Sequence, residues 1–328
     1  MSLTAEPTTR TLPVADMDSV RAHTRTLLRR HRGSLATVVG LHALAAIASL
    51  VAPRTIGLLV DEIMGDRSLE RVNQLALGIA AAVVVQTLFT WFARRASFVM
   101  GETVFAELRE DFMERVVELP LSTVERAGTG DLVSRTTNDV EALSHVIRFG
   151  IPSIFVGAVT TTITVVAAFT TGWMVALPIA VGVPILWLST RRYLRDAPAG
   201  YLRERATYAV LNGVVTESAD GGRTVDALRL GSHRRRRMDR ALRDCYDAEI
   251  YTLGLRMRWF PAVEFAFFLP VAATLVWGGW LITGGHTTAG TVIAVALYVQ
   301  QMAGPLDELI SWLDEVQVGA TSLARVIG

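Results

Sequence analysis

Phe98-Val99-Met100-Gly101-Glu102-Thr103-Val104-Phe105-Ala106-Glu107-Leu108-Arg109-Glu110-Asp111-Phe112-Met113-Glu114-Arg115-Val116-Val117-Glu118-Leu119 is the stretch whose periodicity decides the architecture. Phe98, Phe105, Leu108, Phe112, Val116 and Leu119 recur at spacings of three, four and seven, with acidic and basic residues between them. That period is an amphipathic α-helix. It follows directly on an apolar run, 75–93, so one helix is expected to leave that run and continue. At 1.5 Å per residue it carries the chain about 35–40 Å farther before Pro120 breaks it. After Gly128-Thr129-Gly130 a second helix is expected from Asp131, an N-cap candidate, through Val133, Val140, Leu143 and Ile147.

The sequence on either side shows what this stalk grows from. A mean hydropathy of +0.37 is too apolar for an ordinary soluble protein, and the apolar residues are bunched. Six stretches are candidate membrane helices: 35–60, 75–93, 149–171, 174–189, 259–283 and 288–303. The fourth and sixth are short and require flanking helix or tilt. All 32 basic residues are arginine. Six lie in 1–33, seven in 94–148, fifteen in 191–258 and one is Arg325, all on alternate connections. The opposite connections hold only Arg67 and Arg71, and Arg54 sits within the first apolar run. Arginine near spans is retained on the cytoplasmic side, so both termini of this multi-pass protein are expected in the cytoplasm.

The arginines therefore mark sidedness, and the net charge of +1 gives no reason to expect a nucleic-acid partner. Cys245 can form no intrachain disulfide. The polar N-terminus, expected to be a disordered leader over 1–20, lacks the early apolar core of a signal peptide. The external connections are short: 61–73, with tight turns at Gly172-Trp173 and Gly284-Gly285-His286.

The second arginine-rich segment, 191–258, repeats the design of the first, 94–148. Tyr193–Ala219 reads as one helix, Asp220-Gly221-Gly222 as a turn, and Thr224–Gly254 as a helix returning to the fifth span. The expected fold is all-α: six long transmembrane helices within a domain over 21–328, extended into the cytoplasm as two helical hairpins.

The hairpin tips carry more specific sequence. Leu119-Pro120-Leu121-Ser122, then Gly128-Thr129-Gly130-Asp131-Leu132-Val133-Ser134-Arg135-Thr136-Thr137-Asn138-Asp139-Val140-Glu141, resembles the first intracellular loop of ABC exporter transmembrane domains. Asn212-Gly213, Glu217 and Gly221-Gly222-Arg223-Thr224-Val225-Asp226-Ala227-Leu228 are similar to that family's second loop. Gly290, Tyr298, Pro305-Leu306 and Ala324-Arg325-Val326 match its sixth helix and exit. The resemblance implies a dimer, homo- or heteromeric, in which two six-helix domains exchange their fourth and fifth helices. It also implies that each tip sits in a groove on an ABC ATPase domain. The first coupling helix would be Leu121, Ser122, Thr123, Val124, Glu125 and Arg126. The second would be Glu217, Ser218, Ala219, Asp220, Gly221, Gly222, Arg223, Thr224 and Val225. Val124-Glu125 replaces the family's usual aromatic pair, and Gly222 and Leu228 also depart from its pattern, which would suit one half of an asymmetric heterodimer.

No phosphate-binding loop of the Gly-x-x-x-x-Gly-Lys-Ser/Thr type is possible without lysine. No cofactor is therefore expected on these residues, and ATP and Mg belong to the attached or partner ATPase domain. The resemblance favours a domain fused beyond Gly328, with a separate chain as the other possibility. Translocase activity is expected only with that domain present.

Within the spans, Glu264 is the most conspicuous charge, because a carboxylate there is costly unless paired, neutral or hydrated. Glu264, Phe267, Phe268, Gln300 and Gln301 are the candidate substrate-cavity residues, with His42 and Gln86 as further polar positions. Interhelical hydrogen bonding competes with a cavity role for the polar ones. His42 has no second ligand at metal-binding spacing, so no metal site is expected. Trp187, Trp259, Trp277, Trp280 and Trp312 read as interfacial anchors in contact with membrane lipid. Arg234–Arg237 reads as a solvated face, and the acidic stripe Asp307, Glu308, Asp314 and Glu315 is expected to bridge to the arginine-rich stalks. The function expected is ATP-driven export of a hydrophobic or amphipathic small molecule, lipid or peptide by alternating access. An exporter-fold importer of a metal chelate, an ion-coupled secondary transporter and a non-transport sensor or scaffold are the alternatives.

Overall fold

The computed structural model describes residues 15–65, 69–118, 137 and 140–327. Among the described residues there are helices and no strands. They run in the order α1 (Met17–Arg30), α2 (Arg32–Met64), α3 (Leu69–Glu118), α4 (Val140–His145) and a π-helical turn (Val146–Gly150). Then come α5 (Ile151–Ala176), α6 (Ile179–Asp220), α7 (Gly222–Ala227), α8 (Gly231–Thr283), α9 (Ala289–Gln301) and α10 (Ala303–Ile327).

The continuous stalk is present: α3 runs 50 residues from the apolar run through to Glu118. Its amphipathic face buries Phe105, Leu108 and Phe112. Among the described residues, five helical segments are long and apolar enough to cross a membrane: 32–64, 69–118, 140–176, 231–283 and 289–312. α6 is not among them. Its apolar part, from Ile179 to Thr190, gives way at once to Arg191-Arg192, and the helix continues to Asp220.

The chain divides into two compact units. The first comprises residues up to 176 together with 277 onward. Its core joins Val20 of α1, Phe105 and Leu108 of α3, Leu143, Ile147, and Leu323 and Ala324 of α10. The leader expected to be disordered through residue 20 is thus helical from Met17. The Asp16 carboxylate caps α1 by accepting from Ser19 N–H, and Val20 inserts into the core. His31 and Arg30 both reach the Glu107 carboxylate, at 3.1 and 3.4 Å, and tie the α1–α2 junction to α3.

At the other end of this unit, α2 and α9 approach backbone to backbone. A Cβ on Gly290 would lie 1.9 Å from the Gly57 carbonyl oxygen. The Asp61 carboxylate accepts from Gly290 N–H and from Thr288 Oγ1, each at 2.8 Å, at the N-terminus of α9. A carboxylate there meets both free N–H groups and the positive end of the helix. The break expected at Gly172-Trp173 is a kink at Gly172, and the helix ends only after Ala176.

The second unit, 177–276, is α6, α7 and most of α8. Gly182 and Gly200 of α6 fit against Ala266 and Tyr251 of α8, and Thr252 Oγ1 donates to the Glu204 carboxylate at 2.7 Å. The Tyr208 hydroxyl donates to Glu249, and that bond pushes the phenol up to about 12. Trp259, expected as a lipid anchor, instead stacks on Tyr193 with ring centroids 4.3 Å apart and donates to Thr190. In the first unit, Trp277 donates to the Met174 carbonyl and Trp312 lies against His145.

Candidate functional site

Two places concentrate polar chemistry, one in each unit. In the second unit it is the hairpin tip. α6 ends at Asp220, with Gly221 N–H closing onto the Glu217 carbonyl, and α7 follows at once. The helix expected to run unbroken over Thr224–Gly254 is interrupted. α7 stops at Ala227, Arg229 takes a left-handed φ of 52°, Leu230 N–H bonds back to the Val225 carbonyl, and α8 starts at Gly231. That pattern terminates a helix and leaves a short one standing alone at the tip.

Arg234–Arg237, expected as a solvated face, is in part a clamp on this tip. Arg234 donates to the Val214 carbonyl at 3.2 Å, to Ser218 Oγ at 2.9 Å and to Glu217 at 3.0 Å. Arg237 adds a second contact to Glu217 at 3.1 Å. The hydrogen bond from Arg234, and then the charge of Arg237, hold the Glu217 carboxyl below its ordinary range. Of the residues proposed for the second coupling helix, Glu217–Asp220 therefore close α6, Gly221 is the joint, and Gly222–Val225 form most of α7. Leu121–Arg126, proposed for the first, lie outside the described residues.

In the first unit the chemistry gathers around the π-helical turn. Val146–Gly150 interrupts an otherwise α-helical path, and such insertions recur at functional sites. The turn packs closely on α3, where a Cβ on Gly101 would come 3.0 Å from Arg148 Cα. Arg148 is aimed back along α3: its Nη2 donates to Glu102 at 2.8 Å and its guanidinium lies 4.7 Å from the Phe105 ring centroid. Beside it, a cavity of about 250 Å³ is lined by His42, Arg94, Ser97, Phe98, Arg148, Phe149, Pro152, Ser153, Val156 and Glu308. Ser97 Oγ donates to the Ala93 carbonyl at 2.9 Å. Its one proton is therefore committed, and His42 Nε2 at 3.1 Å must be the donor to Ser97. The Phe98 and Phe149 rings meet edge to face at 5.7 Å.

Of the sequence-chosen cavity positions, His42 lines this cavity, whereas Glu264, Phe267, Phe268, Gln300 and Gln301 do not. Gln301 Nε2 donates to Ser49 Oγ at 2.7 Å, an interhelical bond between α9 and α2, and Gln300 is exposed. Glu264 and Phe268 are exposed on α8 and Phe267 is half-buried. Of the acidic stripe, Asp307, Glu308 and Glu315 form no salt bridge among the described residues. Arg94 and Arg148 were read only as markers of sidedness. Nothing in linear sequence signals the π-helical turn that orients Arg148.

Long helices apolar enough to cross a membrane, with a clamped hairpin tip in the second unit, define a polytopic all-α membrane domain. Residues 35–306 match the ABC transporter transmembrane region, and the chain belongs to that family. It is 23% identical over 282 residues to the ATP-dependent lipid A-core flippase of Syntrophus aciditrophicus, covering 86% of this chain and 46% of that protein. It is 27% identical over 304 residues to a multidrug efflux ATP-binding/permease protein of Mycobacterium bovis, covering 92% of this chain and 25% of the relative. A fatty acid ABC transporter ATP-binding/permease protein, also of Mycobacterium bovis, is 27% identical over 252 residues, covering 77% and 39%. The chain thus spans less than half the length of each of these relatives.

Proposed function

We propose that this chain forms the translocation pathway of an ATP-driven exporter, which moves a hydrophobic or amphipathic compound out of a bacterial cell by alternating access. The observation that carries this is the clamped tip of the second unit. A short helix, Gly222–Ala227, stands apart at the end of two long helices and is held there by Arg234, Arg237 and Glu217. A rigid stalk with a separate terminal helix is what is needed to receive a push and pass it on as rotation of helices.

Glu217–Val225 and Leu121–Arg126 would seat in grooves of the ATPase domains, which supply ATP and Mg. Closure of those domains would draw the tips together and turn the spans from inward- to outward-open. ATP drives this only through its different affinity for the two arrangements. The division of α6–α8 from the remaining helices supports an exchange of the fourth and fifth helices between two copies. The names of the relatives, which cover lipid A-core, multidrug and fatty acid transport, support an amphipathic cargo.

The test is uptake into inverted membrane vesicles by this chain assembled with its ATPase domain. Vanadate-sensitive, ATP-dependent accumulation of a lipophilic dye is expected. Accumulation only in right-side-out vesicles would mean import, and ATP hydrolysis without flux of any lipophilic compound would overturn the transport reading.

A further inference from the structure

We propose that the cavity beside the π-helical turn is a headgroup site for an amphiphile bearing an anionic phosphate or carboxylate. This rests on the transport reading and narrows its cargo. The cavity wall is rich in donors. Arg94 lines it and has no ion-pair partner among the described residues. Arg148 gives Nη2 to Glu102, but its Nε–H is buried with no hydrogen-bond partner. The Arg148 side chain still lines the wall together with Arg94, and an anionic group in the cavity would meet positive charge from both. His42 and Ser97 are locked to each other, and Ser153 adds a hydroxyl to the same wall.

The remaining wall is apolar: Phe98, Phe149, Pro152 and Val156. A headgroup with several acceptor oxygens would meet the guanidinium groups, and the first carbons of a chain would meet the rings. Guanidinium suits phosphate and carboxylate in this role because its planar donors match their oxygens. A cationic amphiphile would face Arg94 and Arg148 together. One group on the wall opposes an anion, the Glu308 carboxylate, which lacks a salt bridge among the described residues. It provides a handle of opposite sign.

The experiment uses native mass spectrometry on the transporter assembled with its ATPase domain, titrated with dodecyl phosphate or dodecyltrimethylammonium. Dodecyl phosphate is expected to bind more tightly. Arg94→Gln should weaken it by about tenfold or more, the loss of one charge-assisted contact, while Arg94→Lys retains the preference. Glu308→Gln should strengthen dodecyl phosphate binding. Equal binding of the two probes, an unchanged preference in Arg94→Gln at unchanged melting temperature, or weakened binding in Glu308→Gln would each overturn the assignment. Binding is read without turnover, so a failure of ATP-driven flux would sink the transport reading and leave this result standing.

Discussion

Arg234 is the residue on which the hairpin tip depends. Its side chain is only 17% exposed, and it reaches a carbonyl, a hydroxyl and a carboxylate on α6. Arg234→Ala should cost about 1–3 kcal/mol of local stability, because the Val214 and Ser218 groups lose a charged partner. Arg237, with Glu217 as its only partner on α6 and far more exposure, should matter much less when changed to alanine. Hydrogen exchange across residues 214–237 would separate the two, and equal protection loss would sink the ranking. The clamp also has a pH dependence. The Glu217 carboxyl is held below its ordinary value of 4.5, so its contribution is complete above that value. It is lost as pH falls through the lowered one, and protection of the tip should fade there. Arg229 is a non-glycine residue in the left-handed region at the end of α7, a position that glycine usually fills. Arg229→Gly should therefore raise the melting temperature of the purified protein, by relief of about 1 kcal/mol.

Elements meet in this fold through small residues and a few polar ties. The contact of α2 with α9 is the tightest, with Gly57 and Gly290 in backbone contact and Asp61 closing the end. Gly290→Ala would drive a methyl into the Gly57 carbonyl and should destabilise by about 1–3 kcal/mol, since backbone must move to admit it. Asp61→Ala should cost somewhat less, about 1–2 kcal/mol, by leaving Gly290 N–H and Thr288 without their acceptor. Thermal denaturation in detergent would check both, and an unchanged midpoint for Gly290→Ala would show that α2 and α9 are not held this closely. The continuous α3 helix was legible because its period never falters from the apolar run to Glu118. The break between α7 and α8 was not, since Arg229 carries no local signal for a left-handed backbone and reads as an ordinary helix former.

For the molecule as a whole, the prediction is an assembly of two such domains with two ATPase domains. Native mass spectrometry of the complete transporter should show that stoichiometry, and a single copy that still transports would overturn it. Six membrane crossings were expected from the apolar runs and the arginine partition, and among the described residues five segments meet the length and composition of a span by themselves. The fourth expected crossing is the apolar start of a 42-residue helix. That helix continues past the short apolar stretch to Asp220.

By itself the sequence determined the all-helical membrane architecture, the long stalks and the family. The architecture and the stalks depend on composition and periodicity, which local physics translates directly into helices and spans, whereas the family was legible only through the resemblance of the motifs at the hairpin tips and the last helix. Tertiary structure alone decided which polar groups meet. Glu217 finds Arg234 only because α6 and α8 lie side by side. His42, Ser97, Arg94 and Arg148 share one cavity only because a π-helical turn and the close approach at Gly101 bring three distant segments together. Glu264 drew notice as a charge in an apolar run, but a residue's type records its cost of burial. It does not record its neighbours, and at the candidate site the neighbours carry the chemistry.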